Sequence, residues 1–214
     1  SIEQRDLFGN LLPASFTKEG LKNAKINFDE ILKIYEQSWV DDWYADKKNK
    51  EENKERGRKI LKDFYEKYKD NWPAVKFTEK GFNMKVKTTA TAGQAGKEFY
   101  PHTRSTSRVS TGKDNPVGVG VYTIRGMIDR VDDVGGKIKI IDYKTGQPKD
   151  KLSFEEKEQL LIYQLAARDL FGEEVGSLAF YYLDNNSEME FLGTVDELEK
   201  VRDKIIDTVS EIKK

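Results

Sequence analysis

Two apolar, β-branched runs meet at a Gly135-Gly136 pair, and this constrains the chain more than any other feature of it. The stretch reads Ile124-Arg125-Gly126-Met127-Ile128-Asp129-Arg130-Val131-Asp132-Asp133-Val134-Gly135-Gly136-Lys137-Ile138-Lys139-Ile140-Ile141-Asp142-Tyr143-Lys144-Thr145-Gly146. Both glycines tolerate positive φ, which a tight hairpin turn requires, so the segment predicts an antiparallel β-hairpin. Val134 then faces Lys137, and Asp129 falls directly opposite Asp142. A four-residue loop centred on the same glycines gives the same register, whereas a slip of one residue breaks it.

Opposed side chains have Cβ atoms roughly 4.5–5.5 Å apart, and like charges there are destabilising. Two facing aspartates therefore need a reason, and a divalent cation held by hard oxygens is one. Lys144, two residues beyond Asp142, points to the same face of its strand. Ile138, Ile140 and Ile141 occupy both alternating faces before Asp142, which predicts a strand buried on both sides. The charged patch then sits at the mouth of a core, where desolvation is costly unless charges are paired. Against this stands the plain reading of the aspartates as solvated hairpin-edge residues. A cation between Asp129 and Asp142 with an ammonium beside it suits phosphodiester hydrolysis: the ion lowers the pKa of a bound water, and Lys144 orients it or stabilises charge on phosphorus.

Composition removes several alternatives. The chain of 214 residues has no cysteine, which excludes disulfides, zinc–thiolate sites and cysteine-ligated iron–sulfur clusters. Its single histidine, His102, excludes His-rich metal sites. The net charge of −1 leaves no global basic field, so nucleic-acid binding must rest on local patches. No run approaches the roughly 18 apolar residues of a membrane span, and no signal peptide is visible. These features lead to an expected cytoplasmic protein with no membrane association. The chain begins at Ser1 without a methionine, as a domain excised from a longer protein would.

Residues 1–74 read as helical: Phe28, Ile31, Leu32, Tyr35 and Trp39 follow the 3.6-residue period, as do Ile60, Leu61, Phe64, Tyr65 and Tyr68. The mixed-charge run Lys47 to Arg58 reads as a solvated helix face or loop, and Asn71-Trp72-Pro73 breaks the pattern. Strand signals come at 74–77 and 82–88. Residues 89–118 read as a long polar loop, with Lys97, Arg104, Arg108 and Lys113 set against Glu98 and Asp114. After the hairpin, Phe154 to Phe171 reads as a helix capped by Ser153, with Glu155 and Glu156 in its first turn and Gly172 ending it. Two strands follow at Ser177–Leu183 and Met189–Thr194. The last helix carries Leu198, Val201, Ile205, Val209 and Ile212 on one face. The whole is an α/β fold: a helical N-terminal part at 1–74 and an α/β core at 75–214, taken as one domain. Gln159 and Tyr163, four apart, share a helix face.

The motif order Gly126-x-x-Asp129-Arg130, Asp142-Tyr143-Lys144-Thr145-Gly146, Gln159-x-x-x-Tyr163 resembles the RecB-like branch of the PD-(D/E)XK nuclease superfamily, as found fused to the C-terminus of UvrD-like helicases. The resemblance implies a restriction-endonuclease-like core, a mixed central sheet flanked by helices. It implies Mg²⁺ or Mn²⁺ held by Asp129, Asp142 and the backbone carbonyl of Tyr143, with Lys144 as the catalytic lysine. Gln159 and Tyr163 would line the site or contact DNA, Arg130 and Thr145 would support it, and Glu79 could stand behind it. It further implies a DNA substrate (single strands or ends), a helicase domain or subunit as partner, a role in repair or recombination, and a prokaryotic cytoplasm or nucleoid.

Two departures qualify these implications. Relatives carry an early Gly-x-x-x-His ligand; here Phe8-Gly9-Asn10-Leu11-Leu12 leads to Pro13. One metal ligand is then missing, which sets a second reading beside the first: a catalytically weakened nuclease fold that serves as a DNA-binding or structural module. His102, in the long loop, reads as an exposed loop residue rather than a replacement. Some relatives also hold an iron–sulfur cluster on four cysteines, and this chain has none.

Overall fold

The computed structural model describes residues 27–40, 44–88 and 120–212. The chain divides into two compact units, Ser1–Trp72 and Pro73–Lys214.

The described part of the first unit is a pair of helices, α1 (Phe28–Ser38) and α2 (Lys47–Tyr68). Asn27 caps α1 and Asp46 caps α2, each side chain accepting a backbone N–H of the first turn. The run Lys47 to Arg58 is the first half of α2 rather than a loop. Glu36 of α1 takes Lys54 and Arg58 of α2 at 2.6 Å each. Tyr35 lies so close over Gly57 that a Cβ there would fall 2.1 Å from the Tyr35 hydroxyl. Neither helix contains a fully buried residue.

The second unit is built on a five-stranded sheet in the order β1 (Val75–Thr88), β2 (Gly120–Val134), β3 (Lys137–Lys144), β4 (Val175–Tyr182), β5 (Ser187–Phe191). All neighbours are antiparallel except β3 and β4, which run parallel. A parallel pair needs a crossover, and α3 (Phe154–Phe171) supplies it. The sheet is therefore mixed, as expected. α3 opens on a full capping box of Ser153 with Glu156, and α4 (Val195–Glu211) on one of Thr194 with Glu197.

Both helices lie against one sheet face. Leu160, Leu161, Val201 and Ile205 pack there with Phe82, Met84, Val86, Ile128, Val131, Ile138, Ile140, Leu178 and Phe180. Each fully buried Leu or Ile contributes roughly 1.5–3 kcal/mol, so this layer carries the stability of the unit. Ile141, Ala179 and Tyr181, on the opposite alternation, are also fully buried. The strand burial on both faces that the isoleucines imply is thus observed.

Three local expectations change. The strand signals at 74–77 and 82–88 belong to one strand, because the polar segment between them stays paired with β2. The strand at 189–194 ends at Phe191, because Gln164 Oε1 of α3 accepts the Gly193 N–H (2.9 Å) and Thr194 caps α4. Ile212 lies just past α4 and is 81% exposed, so the packing stripe of the last helix ends before it. Among the described residues no helix is long and apolar enough to cross a membrane.

Candidate active site

The register set by the glycine turn holds along the whole β2–β3 ladder: Val134 faces Lys137, Asp132 faces Lys139, and Arg130 faces Ile141. Gly135 and Gly136 take φ of 63° and 85°, as the turn requires. The ladder stops there, one step short of Asp129 and Asp142. Beyond it β3 keeps its pairing with β4, Asp142 beside Phe180 and Lys144 beside Tyr182. The two aspartates therefore sit where β2 and β3 part.

Asp129 is freed on its other side too. The β1–β2 ladder pairs Thr78 with Arg130 and Lys80 with Ile128, and skips the position between them. Glu79, which would face Asp129, takes a φ of 49°, a left-handed conformation uncommon outside glycine. The strand alternation reverses at this kink. Ile128 is buried on the helix-covered face and so is Val131, three residues on. The backbone around Asp129 is thus released from both neighbours, and its carboxylate takes a local donor: the peptide N–H of Tyr143, 2.9 Å from Oδ2.

Asp142 is 3% exposed. Lys144 Nζ lies 2.6 Å from Asp142 Oδ2. That oxygen nevertheless has no hydrogen-bond partner of acceptable geometry. It is charge-paired but lacks a directional donor, a state that few buried polar atoms show. Burial raises the Asp142 carboxyl above the usual aspartate range; Lys144 opposes this and the nearby Asp129 charge adds to it.

The lysine is held from the helix side. Lys144 Nζ donates to Gln159 Oε1 (3.1 Å), and Gln159 Nε2 donates to the Tyr163 hydroxyl (2.8 Å). Tyr163 is buried, with its phenol held above its ordinary value mainly by desolvation. Its ring meets Phe82 edge-on, centroids 5.7 Å apart. Phe82 in turn lies across Gly126, where a Cβ would come within 2.5 Å of the ring. The glycine three residues before Asp129 therefore has a packing reason.

The structure brings Asp129, Asp142, Lys144, Gln159 and Tyr163 together. It places Arg130 on the opposite sheet face, 4% exposed, bonded to Asp132 and to the Tyr143 hydroxyl. Glu79 and Thr145 are exposed. Pro13, His102 and the 89–118 segment lie outside the described residues. Asp132 was not singled out by its sequence pattern, which reads as a polar hairpin edge; its spacing of two from Arg130 was the available signal. Asp184 was also missed: its Oδ2 accepts the Gly146 N–H at 2.9 Å, pinning the turn after Lys144.

Two carboxylates and no third His, Cys, Asp or Glu side chain gather among the described residues. The donor set still fits a magnesium-class ion. Such ions bind through one or two carboxylates and keep several waters, and the undirected Asp142 oxygen is a hard donor of the kind required.

A family model described as the PD-(D/E)XK nuclease superfamily matches residues 2–214. Comparison with curated proteins finds no match. Among solved structures, one titled "Crystal structure of SSO0001" aligns with 87% of this chain and 88% of its own at 19% identity, with a TM-score of 0.38.

Proposed function

Because the chain belongs to the PD-(D/E)XK nuclease superfamily, we propose that it is a divalent-metal-dependent deoxyribonuclease that hydrolyses phosphodiester bonds in DNA single strands or ends. The observation that carries this reading is the buried Asp142 oxygen, paired with Lys144 but without a directional donor, beside Asp129 at a fork between strands.

Asp129 and Asp142, with the Tyr143 carbonyl that the family pattern adds, would hold Mg²⁺ or Mn²⁺. When bound, such an ion neutralises charge on a phosphoryl oxygen and lowers the pKa of a water. Lys144 supplies a compact positive charge toward the reacting phosphate and the attacking water. Gln159 holds that ammonium at the Asp142 end of the site, and Tyr163 fixes the orientation of the Gln159 amide. Arg130 and Thr145 support the strand ends. Glu79 contributes at most through the kink it occupies.

The motif set supports a finer reading: a RecB-like nuclease coupled to a helicase domain or subunit, acting in repair or recombination in a prokaryotic cytoplasm or nucleoid. The family match over residues 2–214 supports taking the helical and α/β units as one nuclease domain. Pro13, where relatives carry a histidine ligand, favours a second reading, a weakened nuclease fold that binds DNA without cutting it.

Labelled single- and double-stranded DNA incubated with Mg²⁺, Mn²⁺ or EDTA, beside Lys144→Ala, separates the two. Cation-dependent cutting that disappears in the variant is the expected result. Salt-sensitive binding without cutting, by a folded parent protein, would establish the second reading.

A further inference from the structure

The Arg130–Asp132 pair lies on the sheet face opposite the site, and each partner is 4% exposed. A buried ion pair is a poor source of stability, because desolvating both charges offsets most of their attraction. Such a pair calls for another explanation, and its third connection offers one. Arg130 Nε and Nη2 donate to Asp132 Oδ1 and Oδ2 at 2.8 and 2.6 Å, which leaves Nη1. Nη1 donates to the Tyr143 hydroxyl at 2.9 Å. Every guanidinium nitrogen is thus committed, and the planar fork has a single orientation.

The location gives this bond its meaning. Arg130 follows Asp129 directly, and Tyr143 follows Asp142 directly. Arg130 with Ile141 is the last rung of the ladder before β2 and β3 part. The bond from Arg130 to Tyr143 spans the two strands just past that rung, where no backbone pairing holds them. Tyr143 is fixed from its far side as well: its ring meets Tyr181 edge-on at 5.6 Å, and the Tyr181 hydroxyl donates to Asn186 Oδ1 at 2.7 Å. On the site face, the Tyr143 peptide N–H is the donor to Asp129.

We infer that Tyr143, locked by the Arg130–Asp132 pair, is a positioning residue that sets the separation of the Asp129 and Asp142 carboxylates from behind the sheet. This rests on the proposed metal-binding reading of those two aspartates. The side chains of the clamp lie behind the sheet and act from there; the Tyr143 carbonyl that the family pattern adds to the metal site is main chain and is kept in every variant. The clamp works by holding open, at one width, a fork that the ladder leaves free, so that the carboxylates meet an ion without reorganisation.

Tyr143→Phe tests this with least disturbance, since it keeps the ring against Tyr181 and removes only the hydroxyl. Arg130→Lys is the second variant, as it keeps the charge and loses the fork. Three quantities are measured on the full chain: melting temperature in EDTA, hydrogen exchange of the amides at 140 and 143, and Mn²⁺ affinity by electron paramagnetic resonance titration of the free ion. The expected result for Tyr143→Phe is a retained melt and an unchanged amide at 140. The amide at 143 exchanges faster by roughly tenfold, and Mn²⁺ binds roughly tenfold more weakly. An unchanged amide at 143 together with unchanged Mn²⁺ affinity in both variants would overturn the clamp. A parent chain that binds no Mn²⁺ would overturn it too, by removing the metal site it serves. A parent that binds Mn²⁺ but cuts no DNA leaves the clamp supported wherever the variants weaken Mn²⁺ binding, and counts only against the nuclease reading.

Discussion

The two faces of the β2–β3 fork carry charged clusters one residue apart in sequence, and they are satisfied to opposite degrees. Behind the sheet, Arg130 uses every nitrogen and Asp132 accepts with both oxygens. In front, the equally buried Asp142 has an oxygen beside an ammonium without a directional bond, and Asp129 spends one oxygen on a peptide N–H. Identical residue types thus do different work. A saturated network resists change and holds geometry; an under-satisfied one has capacity for an external ligand or a reacting group. The contrast comes from the backbone: Asp132 sits on the continuous ladder, whereas Asp129 and Asp142 sit where it ends.

The contrast breaks if the rear cluster is dispensable. Asp132→Ala leaves the Arg130 guanidinium buried without its carboxylate, and should lower the unfolding free energy by roughly 3–5 kcal/mol in denaturant titration. A loss under about 1 kcal/mol would mean that the rear network is not under strain when halved.

Next in size is the front cluster's chemistry. Lys144→Ala should reduce DNA cutting by roughly 10²–10³-fold, while its loss of stability stays below that of Asp132→Ala, because the Lys144 end of its pair with the buried Asp142 is partly exposed. A comparable loss of both activity and fold would blur the distinction between the faces.

A third test asks whether the front geometry rests on packing. Gly126→Ala drives a Cβ against the Phe82 ring, and overpacking of this kind costs roughly 1–3 kcal/mol. Phe82→Leu in the same chain removes the obstruction and should recover part of that loss in thermal melts. Failure to recover any would place the need for glycine in the backbone instead.

The smallest effect has the opposite sign. Asp142 carries a raised pKa because burial disfavours its charge. That penalty is fully present above the raised value, where native and unfolded carboxyls are both ionised. It fades as pH falls through the raised value, and is gone below the ordinary aspartate range. Asp142→Asn in EDTA should therefore melt higher than the parent at neutral pH, by on the order of 1 kcal/mol, with the two curves converging in acid. A variant that melts lower would show that the Lys144 pairing outweighs desolvation.

Much of this was legible in the sequence because it depends on local rules. Gly135-Gly136 fixed the hairpin register, Ser153 with Glu156 marked the start of α3, and the isoleucines of β3 announced burial on both faces. Asp129, Asp142 and Lys144 followed from that register, whereas Gln159 and Tyr163 joined them only through the family resemblance, since a four-residue spacing by itself says no more than that two side chains share a helix face. The kink at Glu79 and Asp129 was harder to see, since it needs two strands read together. Its trace is the inward parity, even at Ile124 and Ile128 and odd at Val131. Asp132 escaped because a carboxylate near a turn reads as solvated until the partner strands bury it. The fit of Phe82 over Gly126 pairs residues 44 apart that only the ladder brings together.

The most direct test of the account is one variant read in two ways: Asp142→Asn against the parent, melted in EDTA and assayed for Mn²⁺-dependent cutting of end-labelled single-stranded DNA. The account predicts a chain that melts at or above the parent temperature and does not cut. A variant that cuts at the parent rate would contradict it, because Asp142 would then be a buried charge with no part in the chemistry.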